Sequence, residues 1–121
     1  MTVPSLLIVD DNREMRLLIR SIVRNVTDTV VECDDGSQAL SAYIAHRPDW
    51  VLMDVEMTGM DGLRATQAIT AQFPDARIVM VTQHTDADTR SAAAAAGATG
   101  FVSKDNLADL RALLRPPEKL G

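Results

Sequence analysis

The stretch WVLMDVEMTGMDG, residues 50–62, carries an apolar run into a carboxylate, Asp54. An acid beside a core is costly unless a partner offsets its desolvation. Three other apolar runs end on reactive groups: LLIV at 6–9 leads to Asp10 and Asp11, RIVMV at 77–81 to Thr82, and TGFVS at 99–103 to Lys104. Brought to one place, three carboxylates repel, and one or more would protonate unless a cation intervenes. A hard divalent ion answers that need, and Mg2+ suits one or two carboxylates together with water and a phosphate oxygen. Beside such an ion, a carboxylate oxygen of Asp54 is a nucleophile toward phosphorus and would form an aspartyl phosphate. Lys104 and the Thr82 hydroxyl would each meet a transferring oxygen, since phosphoryl transfer depends on positioning and charge neutralisation.

Each residue also has a plainer reading. Asp11 and Glu14 have capping-box spacing, so Asp11 reads equally as a helix N-cap. Asp54 could simply begin a loop, and Thr82 a turn. Lys104 is less expected than arginine here: ten of the twelve basic residues are Arg, and the only other lysine is Lys119. His84, two residues beyond Thr82, is placed to tune the same site. Asp34-Asp35-Gly36 reads as a turn into a helix capped by Ser37, and Asp61-Gly62 as a turn before the next helix. Glu32 and Asp28 read as surface charge, and His46 as a helix-end residue. No His or Cys spacing suggests zinc.

The elements that must position these groups alternate. Short apolar runs at Leu6–Val9, Thr29–Cys33, Trp50–Met53, Arg77–Val81 and Thr99–Ser103 read as strands buried on both faces. Between them, Asn12–Val26 repeats Met15, Leu18, Ile19, Ile22 and Val26 at helical steps, which marks one apolar face. Ser37–Ala45, Gly62–Gln72, Asp88–Ala96 and Asn106–Leu114 supply four more helices. Pro48 and Pro74 stop the second and third, and Gly97 caps the fourth. Five βα units predict an α/β, doubly wound, five-stranded parallel sheet with right-handed crossovers. The common flavodoxin-like order 2-1-3-4-5 puts the ligand crevice between strands 1 and 3, beside Asp10, Asp11 and Asp54.

With 121 residues, the chain is read as one domain over 1–115 and a tail or start of a linker at 116–121. A net charge of −5 and 3% aromatic content argue against direct nucleic-acid contact by this domain. No apolar run approaches membrane-span length, and the N-terminus lacks signal-peptide features. The single cysteine, Cys33, excludes an internal disulfide and reads as a buried strand thiol in a reducing, cytoplasmic setting.

The segments LLIVDDN, DWVLMDVEMTGMDG, IVMVT and GATGFVSKD, in this order, closely resemble the receiver domain of two-component response regulators, over about residues 5–115. That family has this strand order. The resemblance implies that Asp54 is the phosphoacceptor for a sensor histidine kinase or a small-molecule donor. It implies that Asp11 binds Mg2+ directly and Asp10 through water, with the backbone carbonyl of Glu56 as a further ligand. Thr82 and Lys104 would bind phosphoryl oxygens, and Phe101 would be the switch aromatic that moves with Thr82. It also implies that Glu56 and His84 hold positions that modulate the dephosphorylation rate. Such a domain catalyses its own phosphorylation and dephosphorylation but acts as a signalling switch. Thr58 stands where the family usually has proline, and Asp105 where a proline often follows the lysine. GATGF and VSKDNLADL look more like receivers joined to a C-terminal helix-turn-helix DNA-binding domain.

The implied partners are the kinase and an output domain or target protein. A phosphorylation-dependent homodimer fits the resemblance but does not follow from the residues. Arg13, Arg16, Arg20 and Arg24 share roughly an 80° arc of the first helix, with Leu17 among them. That face is either simply solvated or a docking surface for the kinase. The rival function is a pseudo-receiver that switches without phosphate, against which the full set Asp10, Asp11, Asp54, Thr82 and Lys104 argues. A flavin binder would want a glycine- and hydroxyl-rich loop where DDNRE stands, and an aspartyl-phosphate phosphatase an Asp-x-Asp pair at Asp54.

Overall fold

A computed structural model of the protein describes residues 4–57 and 60–114. Thr58 and the 116–121 tail therefore lie outside the described residues. Five strands, β1 (Ser5–Val9), β2 (Thr29–Cys33), β3 (Trp50–Asp54), β4 (Ile78–Thr82) and β5 (Gly100–Ser103), form one sheet in the order β2-β1-β3-β4-β5. All pairings are parallel. The predicted architecture and strand order are those observed.

Alternation along the central strands explains the two layers. Leu6 and Ile8 join Ile19 and Val23 of α1 (Arg13–Val23) and Leu110 and Leu114 of α5 (Asp109–Leu114). Leu7 and Val9 point the other way, into a cluster with α2 (Ala39–His46), α3 (Gly62–Gln72) and α4 (Ala87–Ala96). Every described residue of β1 after Ser5, and all of β4, is buried. Burying one large aliphatic side chain contributes roughly 1.5–3 kcal/mol. A core strand of this kind thus fixes its own register, because a one-residue slip would exchange the two layers.

Local chemistry corrects several sequence expectations. Asn12, not Asp11, caps α1: its side chain accepts a hydrogen bond from the Met15 amide at 2.9 Å. Leu18 is 47% exposed, and Val23 takes its place in the core. The second helix begins as a 3-10 turn, Gly36–Gln38, capped by the Asp35 side chain rather than by Ser37. The last helix likewise begins as a 3-10 turn at Lys104–Asn106, and α5 proper starts at Asp109. Gly97 does end α4 in the left-handed region, at φ 102°, where a Cβ would strain the backbone. Asp61 caps α3 by accepting from the Arg64 amide. No helix among the described residues is long and apolar enough to cross a membrane.

Candidate functional site at the carboxyl edge of the sheet

Asp54 and Thr82 are the last residues of β3 and β4, so they belong to the sheet and not to the loops beyond it. Both are buried, at 4% and 1% exposure, and Asp10 just past β1 is at 1%. The helical crossovers send every strand the same way, so the residues that follow the strands meet at one edge. A cleft of about 190 Å3 opens there, lined among others by Asp10, Asp11, Asp54, Glu56, Thr82 and Lys104. The sheet thus brings all the predicted strand-end groups together.

Lys104 spans the two buried acids. Its Nζ lies 3.1 Å from Asp54 Oδ1 and 3.4 Å from Asp10 Oδ2. The Ser103 side chain accepts from the Asp105 amide and turns the chain there. Burial alone would lower the Lys104 ammonium, but the Asp54 and Asp10 carboxylates outweigh it and hold Lys104 above its ordinary value. Asp54 moves up from 3.8 to about 6, first through burial and then through repulsion from Asp10, which together exceed the attraction of Lys104. One ammonium does not balance the acids around it.

The donor set fits a hard divalent cation. Carboxylate oxygens of Asp10, Asp11 and Asp54 lie within 4.8 Å of one another. Asp10 Oδ1 accepts from the Asn12 amide at 2.8 Å. Among the described residues its buried Oδ2 finds no hydrogen-bond donor, and the Lys104 ammonium stands 3.4 Å from it. A buried acceptor left in that condition is costly, and a metal–oxygen bond would satisfy it. With Asn12 serving as the cap, Asp11 loses the capping explanation for its position.

Around this centre the remaining candidates separate. Thr82 Oγ1 accepts from the His84 amide at 3.0 Å, which fixes the hydroxyl and the turn together. His84 Nε2 is 2.8 Å from Glu56 Oε1, so the two positions that sequence left undirected meet at the rim of the cleft, both substantially exposed. Phe101 is half-buried in β5 beneath the Arg90 guanidinium, 4.6 Å from its ring centroid. Arg13 and Leu17 are exposed on α1. Arg16 and Arg20 instead both bind Glu32, at 2.9 and 2.7 Å, so Glu32 is an ion-pair partner and not idle surface charge. His46 is an exposed residue at the end of α2.

Gly62 was not recognised from sequence as a site residue. A Cβ there would lie 1.8 Å from the Asp54 carbonyl oxygen, and its amide bonds the Val55 carbonyl at 2.9 Å. The first turn of α3 thus rests directly on the backbone that carries Asp54. The available signal was a glycine at the first position of a helix, where it is otherwise a poor choice.

The comparisons with known proteins agree with this geometry. The response regulator receiver domain family matches residues 6–115. The chain is 39% identical over 105 residues to chemotaxis protein CheY of Bacillus subtilis, covering 86% of this chain and 88% of that protein. It is 42% identical over 100 residues, 80% of this chain, to the protein-glutamate methylesterase/protein-glutamine glutaminase of Haloarcula marismortui, of whose length it spans only 27%. Among solved structures, a LuxR-family two-component response regulator from Aurantimonas sp. SI85-9A1 superposes with a TM-score of 0.85 at 30% identity, covering 93% of this chain and 86% of that one. Fold, acidic cleft and similarity thus converge: the chain belongs to the response regulator receiver domain family, the phosphoacceptor domains of two-component signalling.

Proposed function

We propose that Asp54 is the phosphoacceptor of this receiver and that Asp10, Asp11, Asp54 and the Glu56 carbonyl hold Mg2+ beside it. The observation that carries this reading is the strand-end cluster: three acids within 4.8 Å and a lysine 3.1 Å from Asp54 Oδ1. When bound, Mg2+ would neutralise charge on the phosphoryl oxygens. An Asp54 carboxylate oxygen attacks phosphorus. The new P–O bond replaces the P–N bond to a kinase histidine, or the P–O bond of acetyl phosphate, and the donor departs with the bonding pair. Lys104 follows the charge from the carboxylate to the transferred group, and the Thr82 hydroxyl turns toward it.

Phosphorylation adds charge to a buried edge, and Thr82, Lys104 and Phe101 would pass that change to the surface of α4, β5 and α5. Glu56 and His84, already joined at the rim, would set how readily water reaches the phosphoryl group. Arg13, Leu17 and Arg20, exposed on α1 with Arg16 beside them, would form the docking surface for a sensor histidine kinase. Residues 1–115 are the receiver in this reading and 116–121 a tail or the start of a linker; the setting is the cytoplasm, the partner an output domain or target protein, and the regulated output one such as transcription. A phosphorylation-dependent homodimer belongs to the same proposal.

Incubation with acetyl phosphate, followed by intact mass measurement, tests the reading. One added phosphoryl group is expected with Mg2+ and none with a chelator. If neither acetyl phosphate nor beryllofluoride produced a Mg2+-dependent change, the pseudo-receiver function would replace it.

A further inference from the structure

We propose that Arg16 is a positioning residue for the acidic pair, holding the Asp10 backbone from behind so that the Asp10 carboxylate faces the metal position. The inference rests on the metal reading above. It goes beyond it in giving Arg16 a task within the domain itself.

Arg16 has the geometry of a brace. Its side chain is only 15% exposed, although it stands on α1 beside exposed neighbours. Nη1 donates to the Asp10 carbonyl at 2.7 Å, and Nε donates to Glu32 Oε1 at 2.9 Å. Glu32 is itself held on its other oxygen by Arg20 Nη1 at 2.7 Å. One planar guanidinium therefore joins edge strand β2 to the first residue beyond β1. The Asp10 amide donates to the Cys33 carbonyl at 3.1 Å, and Oδ1 is held by the Asn12 amide. With Arg16 in place, both backbone polar groups of Asp10 and one carboxylate oxygen are fixed. Only Oδ2 is left to face the cleft.

Charge and position predict opposite signs, which makes the inference testable. Removing a cation near a metal site should tighten binding of a divalent ion by simple Coulomb attraction. Removing a group that orients a ligand typically weakens metal affinity by about 10–100-fold. Lysine cannot replace the fork, because a single ammonium is a point donor and cannot reproduce the two directed bonds of the planar guanidinium.

The test is calorimetric titration of the 121-residue chain with MgCl2, with no kinase or phosphoryl donor present. Arg16→Ala is expected to bind at least about ten-fold more weakly, and Arg16→Lys to fall between. Arg20→Ala removes the same charge and shares Glu32 but makes no bond to Asp10, so it should bind at least as tightly as the unsubstituted chain. Phosphorylation of Arg16→Ala by acetyl phosphate should recover at saturating Mg2+, since the defect lies in affinity and not in the transfer step. Equal or tighter Mg2+ binding by a folded Arg16→Ala would overturn the inference. Should that variant not fold, Arg16→Lys carries the same test, with unchanged affinity as the contrary result. Absence of Mg2+ binding by the unsubstituted chain would overturn the metal reading itself.

Discussion

The two ends of the sheet solve opposite problems. At the amino ends of the strands, polar groups find neutral or compensated partners. The Ser5 amide donates to Asp49 Oδ2 at 2.8 Å, and the Asp49 amide returns a bond to Ser5 Oγ at 3.1 Å. The Thr27 hydroxyl donates to the Pro4 carbonyl and accepts from the Thr29 amide, while Thr99 Oγ1 accepts from the Ile78 amide. Arg77 and Arg47 lie over the rings of Trp50 and Phe73. At the carboxyl ends, two buried acids share one lysine, and a third acid stands within reach. The same parallel sheet supports both ends, so the difference lies in the residue types that stand at each. One end fastens the sheet, and the other holds charge that folding alone would not retain.

This contrast predicts opposite signs for neutralising a carboxylate at the two ends, and a large loss where the lysine between the buried acids is removed. The largest effect should follow Lys104→Ala, which strands two buried carboxylates. Without Mg2+ at pH 8 it should lower stability by about 2–4 kcal/mol, measured by urea denaturation, and added Mg2+ should restore part of the loss.

Asp54→Asn should act in the other direction. The Asp54 carboxyl sits at about 6 in the folded chain against an ordinary 3.8. The folded state therefore keeps this proton to higher pH than the unfolded state does. Stability from this group is complete below about pH 4 and is lost as pH rises through about 6. With allowance for solvent screening and for the partner Lys104 loses, Asp54→Asn should gain about 1–2 kcal/mol at pH 8 in chelator. The gain should vanish near pH 4. A variant less stable than the unsubstituted chain at pH 8 would contradict the claim that this end is strained for function.

The smallest effect belongs to the fastening end. Asp49→Ala should cost about 1 kcal/mol through the lost Ser5 bonds, with no dependence on Mg2+. A Mg2+-dependent change there would show that the two ends are coupled.

Much of this division was legible in the residues. The strands announce themselves because runs such as Leu6–Val9 and Ile78–Val81 are apolar at every position, as double burial requires. Once the strands are placed, the topology alone collects Asp10, Asp54, Thr82 and Lys104 at one edge. What stayed hidden depends on contacts distant in sequence or on single turns. Glu32 looks like any strand-edge acid until β2 lies beside α1 and gives it Arg16 and Arg20. Asp11 and Asn12 are both good caps, and only the local backbone chooses Asn12. Leu18 has the right spacing for the core yet faces outward, since the apolar stripe of α1 is completed by Val23. The close seat of Gly62 on Asp54 is a contact between the start of α3 and the end of β3, which composition does not encode.

The most direct test of the central claim is to locate the phosphoryl group. After reaction with acetyl phosphate and Mg2+, proteolysis and peptide mass analysis should place a single phosphoryl group on Asp54, and Asp54→Asn should acquire none. A group found on Asp10 or Asp11, or undiminished uptake by Asp54→Asn, would contradict the account.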